Sequence, residues 1–270
     1  MESTPDVLLV GCGRLGSAVG LLLAERGHDV LALRRDAARV PAPLTGVGVD
    51  LTQESPELPS GIRQVVVALT ARPRSEESYR ATYVDGMLRA LDALGPQVER
   101  AVLVSSTGVL GDHGPEELVT EETEAHPGDG PARVLLEAER RFHDRLPHGV
   151  VLRLSGLYGG GSTALQDRVR AGEVSDPHRW TNRIHRDDAA SAVVHLLALD
   201  DAAPLYLGTD DEPAQLGDVA AFLADRLEAP TPPRADPGRG HGKRISNALL
   251  RGTGWRPAHP TFREGYASGV

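Results

Sequence analysis

The stretch VLLVGCGRLG, from Val7 to Gly16, decides how this chain is read. Four apolar residues suit a strand buried on both faces, and Gly11, Gly13 and Gly16 follow in a GxGxxG pattern. Leu15, Val19, Leu22 and Leu23 then recur with a helical period. Strand, glycine turn and helix in that order predict a dinucleotide site. One glycine permits the tight turn, one lets backbone approach a pyrophosphate, and one lets helix and strand pack closely. The amides at the helix start, with the dipole behind them, attract phosphate, and Arg14 adds a charge beside them. Gly11, Gly13, Arg14, Leu15 and Gly16 are therefore the first candidate cofactor residues.

Outward from that stretch, the 270 residues can bury a sizeable core as an α/β chain. A net charge of -9 argues against broad binding to nucleic acid or to an anionic membrane. No apolar run has the length of a membrane span, and no signal peptide precedes Val7, so a cytoplasmic location is expected. Cys12 is the only cysteine, which excludes an intrachain disulfide and a thiolate cluster; inside the glycine turn it reads as a small side chain that fits. No metal site is expected.

The second strand, Val30 to Leu33, ends at Arg34 and Arg35. At this position a carboxylate would take the ribose hydroxyls of NAD, whereas a cation would meet the 2′-phosphate of NADP. Two arginines favour NADP(H) over NAD(H), with Asp36 nearby as the opposing sign. A short strand, Val47 to Val49, is closed by Asp50 and Leu51; Asp50 either accepts from an adenine amino group or caps the following turn. Val65 to Leu69 is the next buried strand, with Ala68 and Thr70 at its carboxyl edge beside the cofactor. A helix is predicted from Glu76 to Leu94, with Tyr79 and Tyr83 as packing residues. Ala101 to Val104 then runs into Ser105, Ser106 and Thr107, of which Ser105 is placed with the cofactor residues.

Taken with VLVSSTGVLGD, ARVLLEAER, VLRLSGLYGGG and NRIHRDD in order after the glycine turn, the chain resembles the extended short-chain dehydrogenase/reductase superfamily, which contains nucleotide-sugar epimerases and dehydratases. The resemblance implies a doubly wound parallel-sheet Rossmann fold with a smaller C-terminal substrate-binding lobe. The dinucleotide domain would take residues 1–155 with about 184–204, and the lobe 156–183 and 205–270. It also implies that Ser106, or its neighbour Thr107, binds the reacting oxygen of a substrate. A hydroxyl at the end of a central strand points toward the crevice where such sheets bind ligands, and it can donate to developing negative charge.

The family's tyrosine, with a lysine four residues later, is missing. Aligning Leu136 to Glu139 with the family helix puts Pro131 and Leu135 at those positions. Lys243 is the only lysine, and none of the five tyrosines has a lysine four residues on. Tyr158, in the glycine-rich loop after Val150 to Leu154, and His185 are the remaining candidates to relay a proton; each also reads as a packing or hydrogen-bonding residue. Asp187 and Asp188 read as helix-start carboxylates. The segment Gly111 to Gly130, with His113, Glu121 and Glu122, reads as a solvated rim. Arg234, Arg239, Lys243 and Arg244 read as cations for an anionic substrate or as surface charge. The function expected is an NADP(H)-dependent oxidoreductase or epimerase of a small carbonyl or hydroxyl compound, as a monomer or homodimer. The alternatives are a lyase or cyclase with a structural cofactor, and a non-catalytic dinucleotide-binding sensor or scaffold.

Overall fold

A computed structural model of the chain describes residues 4–114, 116–233 and 240–267. The first strand β1 (Val7–Val10) leads through the glycine turn into α1 (Arg14–Glu25). Gly27, at φ +88°, stops that helix: its N–H and that of His28 donate to the carbonyls of Ala24 and Leu23, the left-handed cap that only glycine adopts cheaply. Next come β2 (Val30–Arg34), a 3-10 turn at Ala37–Arg39, β3 (Thr45–Gly48) and β4 (Gln64–Val67). The four residues of β1, and Val65 to Val67 of β4, are fully buried, as continuous apolar runs in a parallel sheet require.

The expected helix from Glu76 is wound in three parts: α2 (Glu76–Tyr79), a π-helical segment Arg80–Gly86, and α3 (Met87–Asp92). Ser75 caps it by accepting the Ser78 N–H, and Glu76 and Glu77 suit its first turn. The wide winding coincides with two tertiary contacts. The Tyr83 hydroxyl donates to the Leu69 carbonyl at 3.1 Å. Gly86 packs so near Leu51 that a Cβ would lie 3.2 Å from its carbonyl oxygen.

Strand β5 (Arg100–Ser106) runs into a 3-10 turn, Thr107–Leu110. A short β6 (Leu118–Val119) precedes α4 (Gly130–Arg145), which Asp129 caps and where Pro131 occupies the tolerant first turn. There follow β7 (Val150–Leu154), β8 (Gly156–Tyr158), α5 (Ala164–Arg170), β9 (Arg179–Thr181), β10 (Arg183–His185) and α6 (Arg186–Leu197). The chain ends in β11 (Leu205–Gly208), β12 (Ala214–Gln215), α7 (Leu216–Arg226), β13 (His241–Gly242), β14 (Arg244–Ile245), α8 (Ala248–Gly252) and α9 (Phe262–Ala267).

The central sheet has the order β3-β2-β1-β4-β5-β7-β11. β1 pairs in parallel with both β2 and β4, Val7 standing opposite Val30 and Gln64. This is a doubly wound Rossmann sheet, and its order changes direction at β1, where such sheets bind ligands at their carboxyl edge. The chain divides into two compact units. One comprises Met1–Leu110, Ala125–Arg153 and Ala190–Tyr206; the other comprises Gly111–Glu124, Leu154–Ala189 and Leu207–Val270. The second unit has its own small sheets, β10-β8, β12-β9-β13 and β14-β6, and its own apolar cluster around Tyr158, Val219, Leu223, Phe262 and Tyr266.

The segment Gly111 to Gly130 departs from a plain solvated rim. β6 pairs with β14 within it, and the half-buried Glu121 carboxylate accepts the Leu207 N–H at 2.9 Å. Burial raises the Glu121 pKa; this side chain ties the segment to β11 and is not surface charge. Among the described residues no helix is long and apolar enough to cross a membrane.

Candidate functional site

A cleft of about 600 Å³ lies at the carboxyl edge of β1, β2 and β4, wholly within the first unit. It brings together Gly11, Gly13, Arg34, Arg35, Asp50, Leu51, Ala68 and Thr70, all proposed from the sequence as cofactor residues. Gly11 has φ +97°, and a Cβ there would lie 2.6 Å from the Ala68 carbonyl oxygen. A Cβ on Gly16 would lie 2.2 Å from the carbonyl oxygen of Gly11. These two glycines make the turn itself possible. Gly13 differs: a Cβ there would meet no atom within 4 Å. Its missing side chain leaves open space at the first amides of α1, a cradle that fits the pyrophosphate of a dinucleotide. Cys12 is buried, its Sγ 3.3 Å from the Ser17 hydroxyl.

The other proposed cofactor residues lie outside this lining. Arg14 is exposed at the start of α1 and Leu15 is partly buried beside it. Ser105 is buried, and its hydroxyl donates to Glu139 Oε1 at 2.5 Å. Glu139 in turn receives the guanidinium of Arg153, both side chains being 7% exposed. The Ser105 hydroxyl proton is thus committed to a buried ion pair between α4 and β7.

Asp50 Oδ1 accepts from the Thr52 amide at 3.0 Å and hydroxyl at 2.8 Å. Those bonds hold its carboxyl below the usual carboxylate range. It caps the next turn and lines the cleft at once. Sequence reasoning missed Arg39 and the opposite wall, where Arg72, Ser78, Ala81 and Thr82 line the cleft. The charge pattern RRDAAR carried a signal for Arg39; the far wall had none, since it depends on how the helix from Glu76 is wound.

Ser106 closes β5, partly exposed, and its Oγ accepts the Gly108 N–H at 3.1 Å. A hydroxyl that receives one bond keeps its own proton to donate. Thr107 beside it is buried at the start of the 3-10 turn.

Tyr158 and His185, the proposed relays, are packing residues of the second unit. The Tyr158 ring lies against those of Tyr266 and His185, with centroids at 4.6 and 5.4 Å. Its hydroxyl donates to the Thr261 carbonyl at 3.4 Å, and burial pushes its pKa far above the ordinary tyrosine value. A phenol so placed is a poor base near neutral pH. His185 is buried, with its ring stacked on His259 at 3.9 Å and its Nδ1 accepting the Asp187 N–H at 3.3 Å. Burial and the neighbouring imidazole lower its pKa.

Asp188 accepts the N–H groups of Ala258 and His259 and pairs with His259 Nδ1 at 2.9 Å. It anchors the C-terminal segment to the start of α6. His185, Asp188 and His259 each bring one potential ligand atom within 4.8 Å of the others, and the Asp188 carboxylate already accepts two backbone N–H groups and pairs with His259. Lys243 donates to the Gly111 carbonyl and Arg244 lies over the Trp180 ring; Arg234 and Arg239 fall outside the described residues.

Comparison with known proteins agrees with this arrangement. The family model for the NAD-dependent epimerase/dehydratase family matches residues 7–205. A Streptomyces protein named 3-diazoavenalumate denitrifying reductase is 30% identical over a 303-residue alignment covering 96% of this chain and 98% of the relative. A Methylobacillus flagellatus structure assigned to the NAD-dependent epimerase/dehydratases is 31% identical, with a TM-score of 0.83 over 98% of this chain and 97% of that one. The fold also matches that of UDP-glucose 4-epimerase from Thermus thermophilus in complex with NAD, at 22% identity and a TM-score of 0.75 over 96% of each chain. With its glycine turn, its sheet order and a family match across most of its length, the chain belongs to the NAD-dependent epimerase/dehydratase family of the extended short-chain dehydrogenase/reductases.

Proposed function

We propose that this protein is an NADP(H)-dependent reductase of a small molecule with an electron-poor acceptor centre. The observation that carries the reading is the makeup of the cleft. Its β2 side presents Arg34, Arg35 and Arg39 where an NAD-preferring site would place a carboxylate on the ribose, and Asp36 is the single acid among them. When bound, the cofactor supplies a hydride from nicotinamide C4. Ser106 donates its hydroxyl proton in a hydrogen bond to the substrate atom that gains negative charge, and Thr107 shapes the turn beside it.

Reduction is preferred over epimerisation for a chemical reason. Epimerisation through a ketone intermediate needs a base that removes a hydroxyl proton and later returns it. The family's Tyr/Lys pair is absent from this chain, and the buried Tyr158 hydroxyl is no substitute. Hydride addition to an electron-poor centre needs only a proton at the end, and water supplies it. The Streptomyces relative supports the same direction, since its name denotes a reductase with a diazo-bearing substrate.

The test is a spectrophotometric screen at 340 nm of the protein with NADPH and electron-poor aldehydes, ketones and aryl diazo compounds. Loss of NADPH one for one with appearance of reduced product supports the reading. Tight NADPH binding without turnover of any class would favour the sensor alternative instead.

A further inference from the structure

The arginines that line the cleft differ in what they already hold. Arg34 closes β2, and its Nη1 donates to two carbonyls, that of Cys12 in the glycine turn at 2.7 Å and that of Arg39 at 3.0 Å. One nitrogen thus ties the turn after β1 to the 3-10 turn after β2. Arg35, directly after β2, and Arg39, on the 3-10 turn, are exposed and line the same cleft. The Arg39 side chain is 70% exposed, and its one acidic neighbour, Asp36, stands 4.0 Å away. So exposed a pair holds its cation weakly.

The 3-10 turn is itself held in place. A Cβ on Gly46 of β3 would lie 2.9 Å from the Ala37 carbonyl oxygen and 3.0 Å from Val40 Cβ. Only a glycine strand lets Ala37–Arg39 sit this close, and that seating holds Arg39 at the cleft. A phosphate dianion is gripped best by guanidinium forks whose N–H groups are uncommitted. Arg34 has committed its Nη1 to backbone, whereas Arg39 has only a weak partner to give up.

Resting on the NADP(H) reading, we infer that the 2′-phosphate is recognised by Arg35, directly after β2, and by Arg39 on the 3-10 turn, and that Arg34 is a positioning residue. Arg34 sets the glycine turn and the 3-10 turn at a fixed spacing. Loss of Arg34 therefore weakens every adenosine diphosphate, with or without a 2′-phosphate. Loss of Arg35 or Arg39 removes only the preference for that phosphate.

Calorimetric titration of the full chain with 5′-ADP and 2′,5′-ADP separates these roles without requiring turnover. The wild type is expected to bind 2′,5′-ADP more tightly. Arg35→Ala and Arg39→Ala should each weaken 2′,5′-ADP about tenfold or more, the worth of a charge-assisted hydrogen bond, and leave 5′-ADP within roughly twofold. Arg34→Ala should weaken both ligands by a similar factor and lower the melting temperature of the ligand-free protein. Arg34→Lys, which keeps the charge but loses the reach to two carbonyls, should follow Arg34→Ala. If the Arg34 variants lose only the 2′-phosphate preference while Arg35→Ala and Arg39→Ala retain it, the division of roles is wrong although the NADP(H) reading stands. Equal affinity of the wild type for the two ligands would overturn the NADP(H) reading itself.

Discussion

The Ser106 hydroxyl, at the end of β5 in the first unit, is only partly committed to the fold. Its Oγ receives the Gly108 amide and retains a proton, so Ser106→Ala should lower kcat by about 10² to 10³, as loss of one donor to developing charge does elsewhere. NADPH affinity should be unchanged, and steady-state kinetics beside a binding titration checks both. The sequence marks this residue as a candidate because it ends a strand in a stretch that resembles the family's. Tyr158 and His185 were legible only as candidates. Sequence shows that a tyrosine stands in a glycine loop; it does not show that Tyr266 and Gly265 close over its ring, since those contacts come from a distant part of the chain.

A second residue-scale consequence comes from Asp210, which no motif marked. Its Oδ2 is buried without a hydrogen-bond partner, as is Nη1 of Arg183. Burial outweighs the attraction of Arg183 and pushes the Asp210 carboxyl up to about 8, well above the ordinary aspartate value. The folded state therefore binds this proton more tightly than the unfolded chain. The stability it contributes is fully present below the unfolded pKa and is lost as pH rises through about 8. Asp210→Asn should flatten the fall in melting temperature between about pH 5 and 8 and leave the variant at least as stable as wild type at the upper end. Thermal melts across that range test it, and an unchanged slope would contradict the assignment.

Among the elements, the glycine turn separates binding from folding. Gly13 adjoins open space, whereas a Cβ on Gly16 would run into the Gly11 carbonyl. Gly13→Ala should therefore leave the melting temperature of the ligand-free protein near that of wild type while weakening dinucleotide binding. Gly16→Ala should lower that melting temperature by several degrees, since overpacking costs about 1–3 kcal/mol. Melts with and without NADPH distinguish the two. The spacing of these glycines in the sequence was enough to place strand, turn and helix, because each glycine answers a local steric demand. The π-helical segment Arg80–Gly86 was not readable, because Tyr83 and Gly86 meet Leu69 and Leu51, which are distant in sequence. The pair Glu139–Arg153 was hidden for the same reason, with charges 14 residues apart that meet only when α4 packs on the sheet.

At the scale of the whole molecule, the doubly wound parallel sheet was legible from buried apolar runs alternating with helical periods and from the family resemblance, whereas the order β3-β2-β1-β4-β5-β7-β11 is seen only in the folded chain. The second unit was far less so. Its strands are two or three residues long, too short for any period to register, and they are stitched by side chains such as Glu121 and Asp188 that read locally as surface charge or as a helix start. The chain lacks the Tyr/Lys pair that the family resemblance leads one to expect, and on the proposed function the chemical burden falls on the cofactor cleft and Ser106.

The most direct test of that cleft is a titration of the purified full chain with NADPH and NADH, followed by calorimetry at two salt concentrations. Tighter binding of NADPH, with the margin shrinking as salt rises because arginine–phosphate attraction is screened, is the expected result. Equal affinity for the two, or a preference for NADH, would contradict the assignment of the arginine-lined cleft to NADP(H).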